Sequence, residues 1–538
     1  MKVLRATILS VVFVLISFCM LAQDNKTIVV NTEMEPIASG KFEPTWQSLS
    51  QYKVPNWFRN AKFGIWAHWG PQCQPEQGDW FARGMYEEGS DYYKWFVQNY
   101  GHPSKAGFKE VIHDWKAQNW NPEKLLKLYK RAGAQYFFAM ANHHDNFDLW
   151  DSKYQEWNSV RIGPKKDLIA GWAAAAKKQG LPFGLSVHAS HAWMFYEKAQ
   201  LADTIGKYKG VSYDGNLTKA DGKGTWWDGL DPQELYAQKH PLSTSFNWEW
   251  SNGCSVPNQA YCDKFFNRTM DLINQFNPDL LYFDDTSLPL DPISDAGLKL
   301  AAHYYNHNMA THKGKLEAVM FGKKLTDDQK KCEVWDVESG VPDKGQDLAW
   351  QTCNCIGGWH YKRALYENGG YQSAATVIQM LVDIVSKNGN LLLSVPVRGD
   401  GTIDEKEVSI LEGIAAWMDI NKESIFDTRP WKIFGEGPAI YTANSVNKDE
   451  FNAGKVKFSD KDIRYTQNGK VLYATLLGVS SSNVCLKSLG KKNDIGRIKN
   501  IEVLGSKEKL SWKQYADSLV IVKPMNIPNN IAVVFKIK

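Results

Sequence analysis

Across 538 residues there is no C-x-x-C pair, no H-E-x-x-H motif and no dense run of Lys or Arg. The first two absences argue against a zinc site, and the third against a nucleic-acid-binding stripe. Beyond the first two dozen residues, no stretch approaches the ~20 apolar residues needed to cross a bilayer. Net charge is scarce as well: a formal +4 over this length says little about partners. Cysteine is sparse and odd in number after residue 22, with Cys73, Cys254, Cys262, Cys332, Cys353, Cys355 and Cys485. Free buried thiols are the favoured reading, although Cys254 and Cys262 could bridge a loop in an oxidising compartment.

What is present points to a globular, exported protein. Hydrophobic residues make up 43% and charged residues 23%, which does not suit a disordered chain. The length exceeds one ordinary core and suggests two structured units plus a leader. Aromatics are abundant, with 22 Trp, 23 Tyr and 24 Phe. Most of these belong in a core, but indoles also stack on the apolar C–H faces of sugar rings. Met1 to Arg5 is basic, Ile8 to Leu21 is apolar, and Ala22-Gln23 suits cleavage, so residues 1–22 read as a signal peptide. Export to the periplasm or the medium follows. Cys19 raises a lipoprotein alternative, against which bulky Phe18 speaks.

Residues 23–45 are polar and without period, an arm or linker. From Trp46, short apolar runs alternate with helical segments, the mark of parallel βα units. Strands are expected at Phe63–Ala67, Gln135–Met140, Phe183–Val187, Asp279–Phe283, Leu316–Met320, Cys332–Val337 and Asn390–Val395. Helices are expected at Glu123–Ala132, Leu168–Gln179, Phe265–Phe276, Thr376–Ser386 and Ile410–Ile420. His68, His143, His188, Asp284 and Glu338 each follow a different strand. Polar residues gathered from several strand ends are what a (β/α)8-like TIM barrel produces, whereas an open sheet would gather its ligand at one switch point. The barrel spans 46–428, with 195–260 its clearest insertion. Beyond Thr428-Arg429-Pro430, short runs such as Ala439–Tyr441, Val471–Thr475, Leu519–Val522 and Ile531–Phe535 predict an antiparallel β-sandwich over 429–538.

Cleaving an acetal needs two carboxyl groups, one to protonate the leaving oxygen and one as base or nucleophile. Asp284 ends the apolar run Leu280–Phe283 and is placed for such a role. Asp285 points to the other side of an extended chain. By the same logic His143 and His144 diverge and do not share a metal ion; neutral imidazoles binding sugar hydroxyls fit better.

Lys62-Phe63-Gly64-Ile65-Trp66-Ala67-His68-Trp69-Gly70, His143-His144-Asp145-Asn146-Phe147 and Leu281-Tyr282-Phe283-Asp284 together resemble landmarks of glycoside hydrolase family 29, the α-L-fucosidases. Asn388-Gly389-Asn390-Leu391-Leu392-Leu393 and Asp427-Thr428-Arg429-Pro430 resemble its closing motifs, in the same order, over about 46–430. The resemblance implies a (β/α)8-like barrel with a carboxyl-terminal β-sandwich. It also implies that His68, His143 and His144 bind the sugar, that Asp284 is the nucleophile, and that Trp80, after Asp79, contacts substrate.

The family's acid/base, often a Glu after a Trp, has no counterpart at Trp350-Gln351, since Gln cannot donate and recover a proton. Glu338 at a strand end is the replacement, and Asp336, on the same face by the two-residue period, the runner-up. Further departures are Asn142 where a Lys is common, Ser186-Val187-His188 in place of a tyrosine-bearing stretch, and Ser394 where Asn is frequent. The resulting expectation is a retaining exo-glycosidase acting on terminal α-L-fucosyl linkages. Asp284 and Glu338 are catalytic, His68, His143, His144 and His188 hold the ring hydroxyls, and Trp80 and Trp350 offer stacking faces. No metal and no cofactor is implied, and the partner is an oligosaccharide or glycoconjugate rather than nucleic acid. Two alternatives stay open: a relative acting on a galactose-like sugar, and a silent sugar-binding homologue.

Overall fold

The structure, a computed structural model, describes residues 27–440 and 456–538. The leader segment 1–22 lies outside the described residues. Eight strands close into a parallel barrel: β1 (Phe63–Ala67), β2 (Tyr136–Asn142), β3 (Phe183–Val187), β4 (Leu280–Phe283), β5 (Val319–Gly322), β6 (Val334–Asp336), β7 (Trp350–Cys355) and β8 (Gly389–Ser394). Each pairs with the next, and β8 returns to β1 through Phe63↔Leu391 to Trp66↔Ser394. Strands such as β1, β4 and β5 read as continuous apolar runs because both faces are covered, one by helices and one by the barrel interior.

Large rings fill that interior. Trp66 and Tyr282 lie 5.1 Å apart between centroids, Phe138 and Phe321 5.8 Å. They fit because small residues stand opposite them. A Cβ on Gly64 would sit 2.2 Å from the Tyr136 ring, and one on Gly184 2.6 Å from Phe138. The helices announce their ends chemically. In Leu168–Gln179 the Asp167 carboxylate accepts from Ala170 N–H, and Gly180 closes the last turn at φ 64°. Helices also run over Pro122–Arg131, Gln259–Phe276, Ala374–Ser386 and Glu405–Asn421, longer or shorter than expected by a turn or less at most ends. Ala296–Thr311, whose alternation the sequence reading passed over, is a further helix. β7 was passed over too. β5 begins three residues later than expected and ends two later, a shift that matters at its rim.

The arm before the barrel is docked rather than loose. Ala38 N–H donates to His303 Nδ1 at 3.0 Å, and Phe42 N–H donates to Asn306 Oδ1 at 2.9 Å. The insertion after β3 holds together with little regular structure because buried polar groups anchor it. Asp214 takes Lys109 at 2.8 Å, Tyr86 at 2.7 Å and Tyr236 at 2.6 Å.

The remaining chain forms a five-stranded sheet with order β13-β16-β11-β10-β9 and a three-stranded sheet with order β12-β15-β14. The strands are β9 (Arg429–Glu436), β10 (Ile463–Asn468), β11 (Val471–Leu476), β12 (Val484–Leu486), β13 (Ile501–Val503), β14 (Trp512–Gln514), β15 (Leu519–Ile521) and β16 (Val533–Ile537). All pairings are antiparallel, and both sheets share a core that includes Tyr465, Leu486, Ile521 and Phe535. The run at Ala439-Ile440 is not a strand, and Tyr441 lies outside the described residues. Arg464 of β10 reaches Asp383 at 2.5 Å and so ties this unit to a barrel helix. Among the described residues no helix is long and apolar enough to cross a membrane. The seven cysteines from Cys73 to Cys485 are free thiols, including Cys254 and Cys262.

Candidate active site

A cleft of about 360 Å³ opens at the carboxyl ends of the strands. It collects His68 after β1, His143 and His144 after β2, His188 after β3, Asp284 after β4, Lys323 after β5 and Glu338 after β6. Asp79 and Trp80 enter from the loop after β1, with Trp80 held at φ 61°. A bulky aromatic in that region is strained, and such strain clusters at functional sites.

The end of β2 shows why both histidines reach the cleft. Residues 143–146 form a turn, with Asn146 N–H bonded to the His143 carbonyl at 3.0 Å and Asn146 at φ 62°. The two rings therefore converge, 4.3 Å between centroids, instead of pointing apart as an extended backbone would require. Asn142 stabilises the neighbouring rim, accepting from the His188 N–H at 3.0 Å and the Ala189 N–H at 3.2 Å.

Three basic side chains converge on Asp284. His188 Nδ1–H donates to its Oδ2 at 3.0 Å, while the Ser186 hydroxyl donates to His188 Nε2 at 3.0 Å. His144 Nε2 approaches the same Oδ2 at 3.1 Å, and its Nδ1–H donates to the His188 carbonyl at 2.7 Å. The Lys323 ammonium contacts the other Asp284 oxygen and, at once, Glu338 Oε2. Burial would raise the Asp284 carboxyl, but Lys323 and then His188 hold it well below the usual carboxylate range. Burial likewise works to lower Lys323, and Asp284 and Glu338 outweigh it, keeping the ammonium charged. Burial pushes His188 down to about 4, against the pull of Asp284, so the imidazole is neutral near pH 7. His68 and His143 are pushed well below their ordinary value, chiefly by burial and then by neighbouring histidines. These are neutral rings suited to hydroxyl groups.

Asp285 also borders the cleft, but its carboxylate is engaged by Thr286 N–H at 2.7 Å and His191 Nε2 at 3.0 Å. Two of the expected residues are not in the cleft. Trp350 lies on the outer face of β7, its indole against Gly389 and donating to the Lys387 carbonyl at 2.9 Å. The two-residue strand period sends Gln351 inward instead, and the aromatic that lines the cleft on this side is Trp359. Asp336 is enclosed in the barrel, accepting from Gln351 Nε2 at 2.8 Å and Cys353 Sγ at 3.0 Å, and burial pushes it up to about 6. It therefore lacks the access to substrate that Glu338, with a side chain 24% exposed, has.

Lys323 is the residue sequence reasoning missed. Ending β5 at Gly322 rather than Met320 makes it the polar residue after a strand, the same signal that marked the others. Trp248 comes from the long insertion, where no period could single it out. Lys323→Met is expected to lower kcat/KM and to move the acidic limb of its pH profile upward. Without the ammonium the Asp284 carboxyl titrates at higher pH, so the ionised form is lost sooner on acidification. An acidic limb that stays in place would show that Lys323 does not set the Asp284 charge.

Comparison with known proteins resolves the family. A family model described as alpha-L-fucosidase matches residues 29–423, and one described as the alpha-L-fucosidase C-terminal domain matches 457–538. The chain belongs to the α-L-fucosidase family. Tissue α-L-fucosidase of Rattus norvegicus is 24% identical over 89% of this chain and 87% of its own length. Plasma α-L-fucosidase of Homo sapiens is 24% identical over 90% and 88%. A Thermotoga maritima α-fucosidase solved with a mechanism-based inhibitor shares the fold, with TM-score 0.68 at 23% identity over 92% of this chain and 99% of that one. The same enzyme solved in complex with fucose superposes at TM-score 0.66, with 23% identity over 92% and 99%. The barrel and antiparallel unit of this family member thus follow the architecture of its relatives.

Proposed function

We propose that this protein is a retaining exo-α-L-fucosidase in which Asp284 is the nucleophile and Glu338 the acid/base. The observation that carries the reading is Lys323, in contact with both carboxylates. Two oxygens bonded to one nitrogen lie no more than about 6 Å apart. That supports the roughly 5–5.5 Å spacing of a retaining pair over the roughly 6.5–9.5 Å that an inverting pair needs for its water. Asp284, kept ionised, attacks the anomeric carbon while Glu338 gives its proton to the leaving oxygen. Glu338 then takes a proton from water, which displaces Asp284 and returns the sugar with its starting configuration. His68, His143, His144 and His188 hold ring hydroxyls, and Trp80, Trp248 and Trp359 wall the cleft. The substrate is a terminal fucosyl residue of an oligosaccharide or glycoconjugate. Residues 1–22 act as an export signal, 46–428 as the catalytic barrel and 429–538 as a supporting sandwich.

A panel of nitrophenyl glycosides tests this. The α-L-fucoside is expected to be hydrolysed far faster than the β-D-galactoside, with α-L-fucose as the first product seen by NMR. Preferential turnover of a galactoside would reassign the sugar, and initial release of β-L-fucose would exclude retention. No turnover, together with a melting temperature raised by free fucose, would mark a sugar-binding homologue.

A further inference from the structure

We propose that His68, His143 and His360 form a zinc site at the floor of the cleft, which competes with the sugar. The three imidazoles are mutual neighbours, with ring centroids 5.1 Å apart for His68–His143 and 4.7 Å for both His68–His360 and His143–His360. Three rings bound through nitrogen to one tetrahedral zinc, at about 2.0–2.1 Å each, place their centres about 5 Å apart. Each ring, together with Asp79, offers a ligand atom within 4.8 Å of the others.

The hydrogen bonding points the same way. His360 Nδ1–H donates to Asp79 Oδ1 at 2.5 Å, and its buried Nε2 has no hydrogen-bond partner. A carboxylate behind Nδ1 and a bare Nε2 in front is the arrangement that orients metal-bound histidines. His68 is buried with neither ring nitrogen partnered. His68 lines the cleft and could spend a nitrogen on a sugar hydroxyl, but His360 does not line it, so sugar binding leaves its orphaned nitrogen unexplained. His143 offers Nε2, which lies 4.0 Å from Asp79 Oδ1. Ligation there moves its proton to Nδ1 and requires the Gln72 amide, 2.8 Å from that nitrogen, to turn its oxygen toward it and give up the Ala82 N–H that this oxygen accepts at 3.2 Å. Neutral imidazoles suit zinc and copper rather than magnesium or calcium. His68 and His143 line the cleft, so an ion held between them occupies space the sugar needs. This is an inhibitory site, and the two-carboxylate reaction does not use it.

The zinc half of this inference is independent of the proposed activity, whereas the competition half rests on the cleft being the sugar site. Purified full-length protein, stripped with a chelator and dialysed, is titrated with zinc chloride by calorimetry and with cobalt(II) by visible absorption. One equivalent of zinc, and intense tetrahedral cobalt bands, are expected. His360→Gln and His68→Gln, each checked for wild-type circular dichroism, should each weaken zinc at least about 10-fold. Failure of wild-type protein to bind one equivalent, or folded variants that bind as tightly as wild type, would overturn the site. Should either variant misfold, the tetrahedral cobalt spectrum of wild type decides alone, and an octahedral spectrum counts against it. Saturating fucose should weaken zinc several-fold; unchanged affinity in a protein that does bind fucose would overturn competition. Fucoside turnover is measured separately, so loss of the activity reading leaves the zinc result standing.

Discussion

Asp284→Ala is expected to lower turnover of natural and nitrophenyl fucosides alike by a factor on the order of 10⁴ or more. In the proposed mechanism the covalent route through this carboxylate has no substitute, since both steps pass through the fucosyl-enzyme bond. Good leaving groups do not help, because the missing group is the attacking atom rather than the proton donor. The local structure favours a clean experiment. Asp284 sits after β4 with its backbone N–H bonded to the Val187 carbonyl at 3.1 Å, so the strand register does not depend on the side chain. His144, His188 and Lys323 lose a shared acceptor, and Asp284→Asn, which keeps the shape and removes the charge, is the matched control. Both variants should retain the wild-type circular dichroism spectrum. Activity of a folded variant within about 100-fold of wild type would remove Asp284 from the nucleophile role.

Glu338→Ala should separate two kinds of substrate. For natural glycans, whose leaving alcohols need a proton, a loss of about 10²–10⁴-fold is expected, the usual range for general acid–base catalysis. For an activated aryl fucoside, which departs without help, bond cleavage should suffer far less, and slow release of the fucosyl-enzyme should limit the rate. Azide needs no general base and should restore part of that release. The side chain is half-enclosed between the cleft and Lys323, so substitution empties space at the rim without touching the barrel core. If natural-substrate hydrolysis stays within a few-fold of wild type, Glu338 is not the donor. Asp79, which lines the same cleft, is then next in order, since Asp336 is sealed among Gln351, Cys353 and Tyr282.

These carboxylates were legible because a barrel strand is a local object. Leu280 to Phe283 is apolar on both faces, so the first polar residue after it stands at the rim whatever surrounds it. The same reasoning located His68, His143 and His188. It faltered where a boundary was misplaced by two residues, as at β5, and Lys323 was lost with it. It faltered again at Trp350, where the backbone is extended but the side alternates with each residue. Trp350 was assigned to the cleft from its company in sequence, while the register of β7 turns it outward against Gly389.

Composition and periodicity by themselves determined the alternating architecture, the position of most rim residues and the change of texture after Arg429, because strand and helix patterns are set by neighbours in the chain. Only the tertiary structure decided which rim groups touch. Lys323 follows β5, which lies between β4 and β6 in the barrel, and so reaches both Asp284 and Glu338, and the turn at 143–146 brings two rings together that local geometry would separate. His360 and Asp79, far apart in sequence, become partners for the same reason. Contacts between distant segments depend on strand order, shear and loop path, and those are properties of the whole packed chain rather than of any stretch within it.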